Sequence, residues 1–293
     1  MTAGVARLQV LAAAVLFSTG GAGIKAAAFT GLQVSALRSG IAGIVLVLLV
    51  RGRPAVSVPM VVTSVVYAAT LTLFVLSTKL TTAANAIFLQ ATAPLYLLVL
   101  GPLVLGERFR ARDLVLLMGL ATGMTFCVIG RPAATVTAPD PATGNLLAVI
   151  CSVTWAFTIL GLRYLQRGEG DASVGMSAVA FGNLFASLAA MPFALPLPRA
   201  STGEWTTIAY LGVCQIGLAY VLLTAAMKKL AALEVSLLLL IEPVLNPVWT
   251  WMIRGEHPGR WTIVGGAIIL AATAIKSAHD LRAPVGHQDV SSH

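Results

Sequence analysis

Apolar runs of about twenty residues recur along the whole chain, separated by short polar gaps, which is the pattern of helices that each cross a bilayer. Ten such spans are predicted, at residues 6–25, 31–50, 56–78, 82–105, 113–130, 144–163, 173–195, 205–227, 231–253 and 261–278. The expected fold class is all-α: a polytopic membrane protein. Residues 279–293 are polar and read as a disordered tail. The first run has the length of a secretory signal, but it lacks a small-residue cleavage site before a polar mature start and leads into further spans. It is therefore read as a retained first helix.

One stretch recurs. Residues Asn85 to Glu107 (NAIFLQATAPLYLLVLGPLVLGE) return in plan as Glu234 to Glu256 (EVSLLLLIEPVLNPVWTWMIRGE), with Pro94 matching Pro243 and Gly106-Glu107 matching Gly255-Glu256 at one offset of 149 residues. A weaker echo pairs Phe17 and Lys25 with Trp155 and Arg163 at an offset of 138. The chain thus reads as two five-helix halves, 1–130 and 144–278, joined by a linker at 131–143 (RPAATVTAPDPAT) whose prolines suit an extended connector. Five is odd, so the second half enters the bilayer from the opposite side, as an inverted repeat. A proline within a long helix lacks the amide donor and clashes with the preceding turn, so each copy is expected to kink or break at mid-depth. Pro94 and Pro243 are the hinge candidates, and broken helices at matched places point to a transporter's binding site.

Composition agrees: the 293 residues are 58% hydrophobic and 10% charged, with a mean hydropathy of +0.89, whereas a soluble domain carries about 25% charged residues. The net charge of +8 does not indicate nucleic acid, because the basic residues stand singly in gaps between spans. They act instead as orientation signals. With a cytoplasmic N-terminus, 12 of the 19 Lys and Arg residues fall on the inside and 7 on the outside, so both termini are expected in the cytoplasm. Lys25, Arg38, Lys79, Arg163 and Lys228 lie near span ends and read as snorkelling to head groups. The three cysteines, Cys127, Cys151 and Cys214, all fall in apolar runs without metal-type spacing and read as packing residues. The four histidines lie in loops or the tail, and no HExxH, GxSxG or ligand cluster appears, so no metal, no cofactor and no enzyme activity is expected.

The doubled ten-span plan, the two Pro-to-Gly-Glu helices and the run TTAANAIFLQATAPL…LGER resemble the EamA-type members of the drug/metabolite transporter superfamily. Within these the sequence is most similar to bacterial amino-acid exporters, with the aromatic amino-acid branch as the nearest match. The second copy departs from the motif, with Glu234 where Asn85 stands and RGEH in place of LGER. The resemblance implies export of small metabolites without ATP, through a central cavity between the halves, in the bacterial cytoplasmic membrane.

Candidate site residues cluster on the broken helices. Glu242 lies mid-span directly before Pro243, and a carboxylate at bilayer depth faces protein or a wet cavity. Its repeat partner is Ala93. With Asn246 and Trp249 it shares one helix face, and it reads either as a binding or proton-carrying group or as a protonated acid satisfying backbone freed by Pro243 and Pro247. Asn85, Phe88, Thr92 and Tyr96 share a face of the fourth span, read equally as a substrate wall or as interhelical packing. Phe17 and Trp155 hold matched positions and either stack on a solute or fill the waist. Tyr67, Thr70, Phe74 and Ser77 of the third span, and Tyr210, Cys214, Gln215 and Tyr220 of the eighth, flank the broken helices. Gly20, Gly21 and Gly23 (STGGAG) form no phosphate loop and read as close packing or a flexible point, and the GxxxG of Gly119 and Gly123 reads as packing within the chain, with a weak homodimer as the alternative. The leading function is a secondary transporter exporting amino acids, aromatic or other neutral, or a broader range of drugs and metabolites; a passive channel and an intramembrane enzyme are the other classes.

Overall fold

The computed structural model describes residues 2–49, 56–105, 111–130, 133–169, 172–227, 229–230 and 232–282. Fourteen α-helical segments and one π-helical segment occur among them. In order they are α1 (Ala3–Ser18), α2 (Gly20–Ala26), α3 (Gly31–Leu49), α4 (Val58–Leu80), α5 (Ala83–Gln90), α6 (Ala93–Leu105), α7 (Ala111–Ile129), α8 (Pro141–Glu169), α9 (Ala172–Ala194), α10 (Thr202–Tyr210), the π-helical segment Leu211–Leu218, α11 (Ala219–Met227), α12 (Ala232–Leu239), α13 (Ile241–Arg254) and α14 (Arg260–Arg282).

Among the described residues seven helical stretches are long and apolar enough to cross a membrane: Ala3–Ala26, Gly31–Leu49, Val58–Leu80, Ala83–Gly101, Pro141–Leu165, Val174–Ala194 and Thr202–Met227. Asp113–Ile129 is apolar but shorter. The two last predicted spans are the polar ones, since α12 and α13 carry Glu234, Glu242 and Arg254, and α14 carries Arg260, Lys276, Asp280 and Arg282. Two boundaries differ from the sequence reading. The helix α14 continues to Arg282, so residues 279–282 are helical and not tail, while 283–293 lie outside the described residues. Likewise α8 starts at Pro141, which shortens the linker. That linker is not a free connector either: Ala138 is fully buried and the Asp140 amide donates to the Leu80 carbonyl at 3.1 Å. Asp140 also starts α8, its Oδ1 accepting the Thr143 amide at 3.1 Å, and hydrogen bonds from Thr143 hold its carboxyl below the usual range.

The helices pack in a regular scheme. The helix α3 lies on α9, α7 on α14, α4 on α8, and α1 on α11; α5 and α6 lie on α8, and α12 and α13 on α1. In chain order along the described residues, the pairing α4–α8 corresponds to α1–α11, and α5–α6 on α8 corresponds to α12–α13 on α1. The pairs α3–α9 and α7–α14 map onto themselves. In α7–α14 the contact is between glycines. A Cβ on Gly123 would lie 2.6 Å from the Gly265 carbonyl, and one on Gly265 would lie 2.5 Å from the Gly123 carbonyl. Gly119 likewise faces Ala272, so the GxxxG surface is occupied inside the chain.

Charged residues join the halves at both ends of one helix pair. Arg7 of α1 meets Glu234 of α12 at 2.6 Å, with side chains 56% and 31% exposed. At the opposite ends of these helices, Lys25 meets Glu256 at 3.0 Å with side chains 3% and 5% exposed. The Lys25 ammonium also donates to the Thr81 carbonyl at 2.6 Å and to the Thr137 carbonyl, while Glu256 Oε1 accepts the Ala83 amide at 2.7 Å. Lys79 donates to the Ala27 carbonyl at 2.6 Å. Lys25 and Lys79 therefore do not snorkel; carbonyls and a carboxylate inside the bundle hold them better than head groups would. Their counterpart Glu107, paired with Glu256 in sequence, lies outside the described residues.

Removing one member of a buried ion pair leaves the other charge uncompensated, at a cost of roughly 3–5 kcal/mol. Lys25→Met and Glu256→Gln are each expected to lower the melting temperature in detergent, and the double variant is expected to cost less than the two singles together by roughly 1–3 kcal/mol; additive losses would show that the pair does not act as a unit. Gly123→Ala and Gly265→Ala are expected to force α7 from α14 and to cost roughly 1–3 kcal/mol by overpacking. Gly4→Ala, in open space on α1, should be neutral or stabilising in the same melting assay.

Candidate functional site

Three helical rods are interrupted, each for a local chemical reason. Between α1 and α2, Ser18 Oγ donates to the Val15 carbonyl and Thr19 Oγ1 to the Leu16 carbonyl, both at 2.7 Å. The hydroxyls occupy carbonyls of the final turn. Between α5 and α6 the break falls at Ala91 and Thr92, where Thr92 Oγ1 donates to the Leu89 carbonyl at 2.6 Å. Between α12 and α13 it falls at Leu240. Pro94 and Pro243 thus each sit in the first turn of the following helix, where a missing amide donor costs nothing. The chain breaks just before each proline instead of bending at it. A fourth irregularity, the π-helical segment Leu211–Leu218, widens the eighth rod.

These irregular places meet. Gly20 faces the amide of Gln215, and Gly21 faces that of Asn246, so closely that neither leaves room for a Cβ. Trp249 Nε1 donates to Ser18 Oγ at 2.9 Å, Tyr210 and Thr19 hydroxyls bond at 2.9 Å, and Gln215 Nε2 donates to the Phe17 carbonyl at 3.4 Å. The STGG break is therefore ringed by α10, the π-helical segment and α13. Asn246 is 1% exposed, yet neither its oxygen nor its nitrogen has a hydrogen-bond partner among the described residues, and Gln215 Oε1 is also unpartnered. A buried polar atom without a partner costs roughly 1–3 kcal/mol.

One turn deeper lies a ladder of rings taken alternately from the two halves. Phe17 of α1 meets Tyr220 of α11 edge-on at 5.2 Å, Tyr220 meets Tyr67 of α4 at 6.4 Å, and Tyr67 meets Trp155 of α8 at 6.3 Å. The Tyr67 hydroxyl donates to that of Tyr220 at 2.8 Å. The first two contacts are edge-to-face and the third is tilted, and ring pairs at these distances fix each other's orientation. Two charges border the ladder. Arg38 of α3 is 2% exposed and lies within electrostatic reach of Tyr67, Tyr220 and Cys151. Glu242, one turn before Asn246 on α13, is within reach of Tyr220.

The remaining predicted positions lie elsewhere. Asn85 is fully buried in a closed network: its Nδ2 donates to the Cys127 carbonyl at 3.2 Å and to Asn145 Oδ1 at 3.0 Å, and its Oδ1 accepts from Thr262 at 2.6 Å. Phe88 packs over Gly266, and Thr92 bonds Ser152 at 3.0 Å. Tyr96 contacts Met124 Sδ at 3.9 Å. Phe74 packs between two apolar clusters. This stripe of α5 and α6 thus joins α7, α8 and α14, whereas Phe17, Tyr67, Trp155, Tyr220, Glu242, Asn246 and Trp249 gather around the first-helix break. Arg38 was misread as a snorkelling residue; an arginine well inside an apolar run was the available signal for a buried role. Cys127 and Cys151 are buried among packing residues and Cys214 is partly buried, and among the described residues no group of His, Cys, Asp and Glu is arranged to hold a metal ion.

A model of the EamA-like transporter family matches the chain twice, over residues 5–129 and 142–277. A protein solved by crystallography superposes with a TM-score of 0.62 at 23% sequence identity, covering 95% of this chain and 99% of that one, a likeness of fold alone. A search of curated proteins found no significant match. The two matches together take in most of the chain, one for each half, and so it belongs to the EamA-like transporter family, multi-pass membrane proteins that carry small metabolites or drugs and are not enzymes.

Proposed function

We propose that the protein is a secondary transporter that exports amino acids, aromatic or other neutral, from the bacterial cytoplasm by alternating access between two inverted five-helix repeats. Ten spans and cytoplasmic termini complete this reading. The double family match, the corresponding helix pairings and the excess of Lys and Arg on one side support it.

The observation that carries the mechanism is the pair of broken rods α1–α2 and α12–α13, which run side by side with an ion pair at each end and unpartnered polar groups between. The two pairs are unequal. The exposed Arg7–Glu234 contact contributes about 0–1 kcal/mol, while Lys25–Glu256 is buried and tied into α5 and the linker. The Lys25 end is the firmer seal, and the Arg7 end, cytoplasmic in this orientation, is the easier to open. Solute enters from that side, rests against the ring ladder, and leaves when the Lys25 end parts. The breaks before Pro94 and Pro243 supply the pivots. Asn85, Phe88, Thr92 and Tyr96 belong to the frame in this scheme.

Transport of this kind is expected to show exchange acceleration. In proteoliposomes loaded with labelled phenylalanine, unlabelled amino acid on the far side should speed release, and a release rate indifferent to it would indicate a channel. Trp155→Ala should lower the exchange rate about tenfold, the scale of one lost aromatic contact together with its buried area.

A further inference from the structure

Among the described residues Arg38 has no counter-charge. It is 2% exposed, its Nε is buried without a hydrogen-bond partner, and among the described residues no carboxylate pairs with it. It lies about 10 Å along α3 from the Gly31 end, at 1.5 Å per residue, well inside the span. Ala42, one turn further on, belongs to the cluster formed with Tyr67 and Ile216 and packed by Trp155 and Tyr220. The arginine therefore shares the helix face that looks onto the ring ladder. Buried arginines are ordinarily satisfied by a carboxylate in bidentate fashion, and none pairs with this one among the described residues.

Glu242 is the complement. It approaches the same Tyr220 from α13, on the face that places Asn246 against Gly21 and Trp249 against Ser18. Among the described residues it too forms no ion pair or hydrogen bond. The two opposite charges thus both lie within electrostatic reach of Tyr220, and among the described residues they form no ion pair with each other. An arrangement with one fixed cation, one fixed anion and an apolar ring surface between them matches a small molecule that carries both charges and an apolar body.

We infer that Arg38 and Glu242 are the two poles of the substrate site, Arg38 taking a carboxylate and Glu242 an ammonium of one zwitterionic solute whose side chain lies along Phe17, Tyr67, Tyr220 and Trp155. This rests on the transport reading above and adds to it a requirement: both charges of the solute are needed. Discrimination arises because a solute lacking one charge leaves a buried group unpaired. Arg38 is the residue that rejects amines, and Glu242 the residue that rejects simple acids.

The test uses the full chain in proteoliposomes loaded with labelled phenylalanine. Trans-side phenylalanine is compared with phenethylamine, which lacks the carboxylate, and 3-phenylpropionate, which lacks the ammonium. On the wild type each analogue is expected to drive exchange about tenfold less well or worse, the loss of one charged partner. Arg38→Gln should narrow the preference over phenethylamine and leave that over phenylpropionate. Glu242→Gln should do the converse, and Arg38→Lys should keep part of the wild-type preference. Wild-type exchange driven equally by all three compounds would overturn the inference while leaving transport standing, and that comparison needs no variant to fold. Preferences unchanged in Arg38→Gln protein with a wild-type melting temperature would overturn it as well. Absence of exchange with any of the three would overturn the amino-acid reading and this inference with it.

Discussion

A helix that stops inside a bilayer must pass its backbone groups to other partners, because no water is there to take them. This constraint governs the architecture around the first-helix break. Ser18, Thr19 and Thr92 are hydroxyl residues at the points where α1 and α5 end, and each bonds a carbonyl of the turn it closes. Gly20 and Gly21 follow because the amides of Gln215 and Asn246 must approach the backbone closely. Tyr210 and Trp249 then bond the Thr19 and Ser18 hydroxyls from neighbouring helices. The irregularity of one rod is thus met by polar side chains of its neighbours, Tyr210, Gln215, Asn246 and Trp249.

Two halves built to one plan need not carry one chemistry. Helix pairings correspond between the two stretches, α4–α8 with α1–α11 and α5–α6 on α8 with α12–α13 on α1, but the charges do not: Glu242 stands opposite Ala93 in the sequence repeat. The same inequality separates the two stripes around the broken helices. Asn85 closes a network in which its amide is fully partnered by Cys127, Asn145 and Thr262, while Asn246 has no partner at all among the described residues. A satisfied amide rigidifies; an unsatisfied one marks a place where another molecule, or another conformation, supplies what is missing. In the proposed mechanism α5–α6 therefore belongs to the frame, and the pair α1–α2 with α12–α13 is the moving part.

The residues that could be read from sequence are those whose signal is local. Pro94 and Pro243 forecast the broken rods because proline acts on its own turn, and Glu242 stood out because a lone acid in an apolar run is conspicuous without knowing its neighbours. What could not be read depends on partners far along the chain. Lys25 looked like a helix-end lysine until folding brought Glu256 beside it, 231 positions away. Asn85 and Thr92 looked like a cavity wall because a 3–4–4 spacing gives a face but does not say what covers it, and Asn145, Ser152 and Thr262 come from other helices. Arg38 was hidden by a habit of reading every cation near a span end as an anchor.

The seals and the poles are linked through the same rods. Lys25 ends the rod that carries Phe17, and Glu256 follows the rod that carries Glu242, so any separation of the firmly sealed end moves the ring ladder and the carboxylate relative to each other. Arg38 stands on α3, which packs chiefly against α9 and the π-helical segment. In the proposed mechanism a solute held between Arg38 and Glu242 bridges a frame helix and a moving one. Its binding energy is felt at the contact between them, which is the condition for a bound molecule to change which end is open. A solute with a single charge binds to one body only and has no such leverage. In the proposed arrangement selectivity and coupling have one origin: the two charges, Arg38 and Glu242, that are unpaired among the described residues.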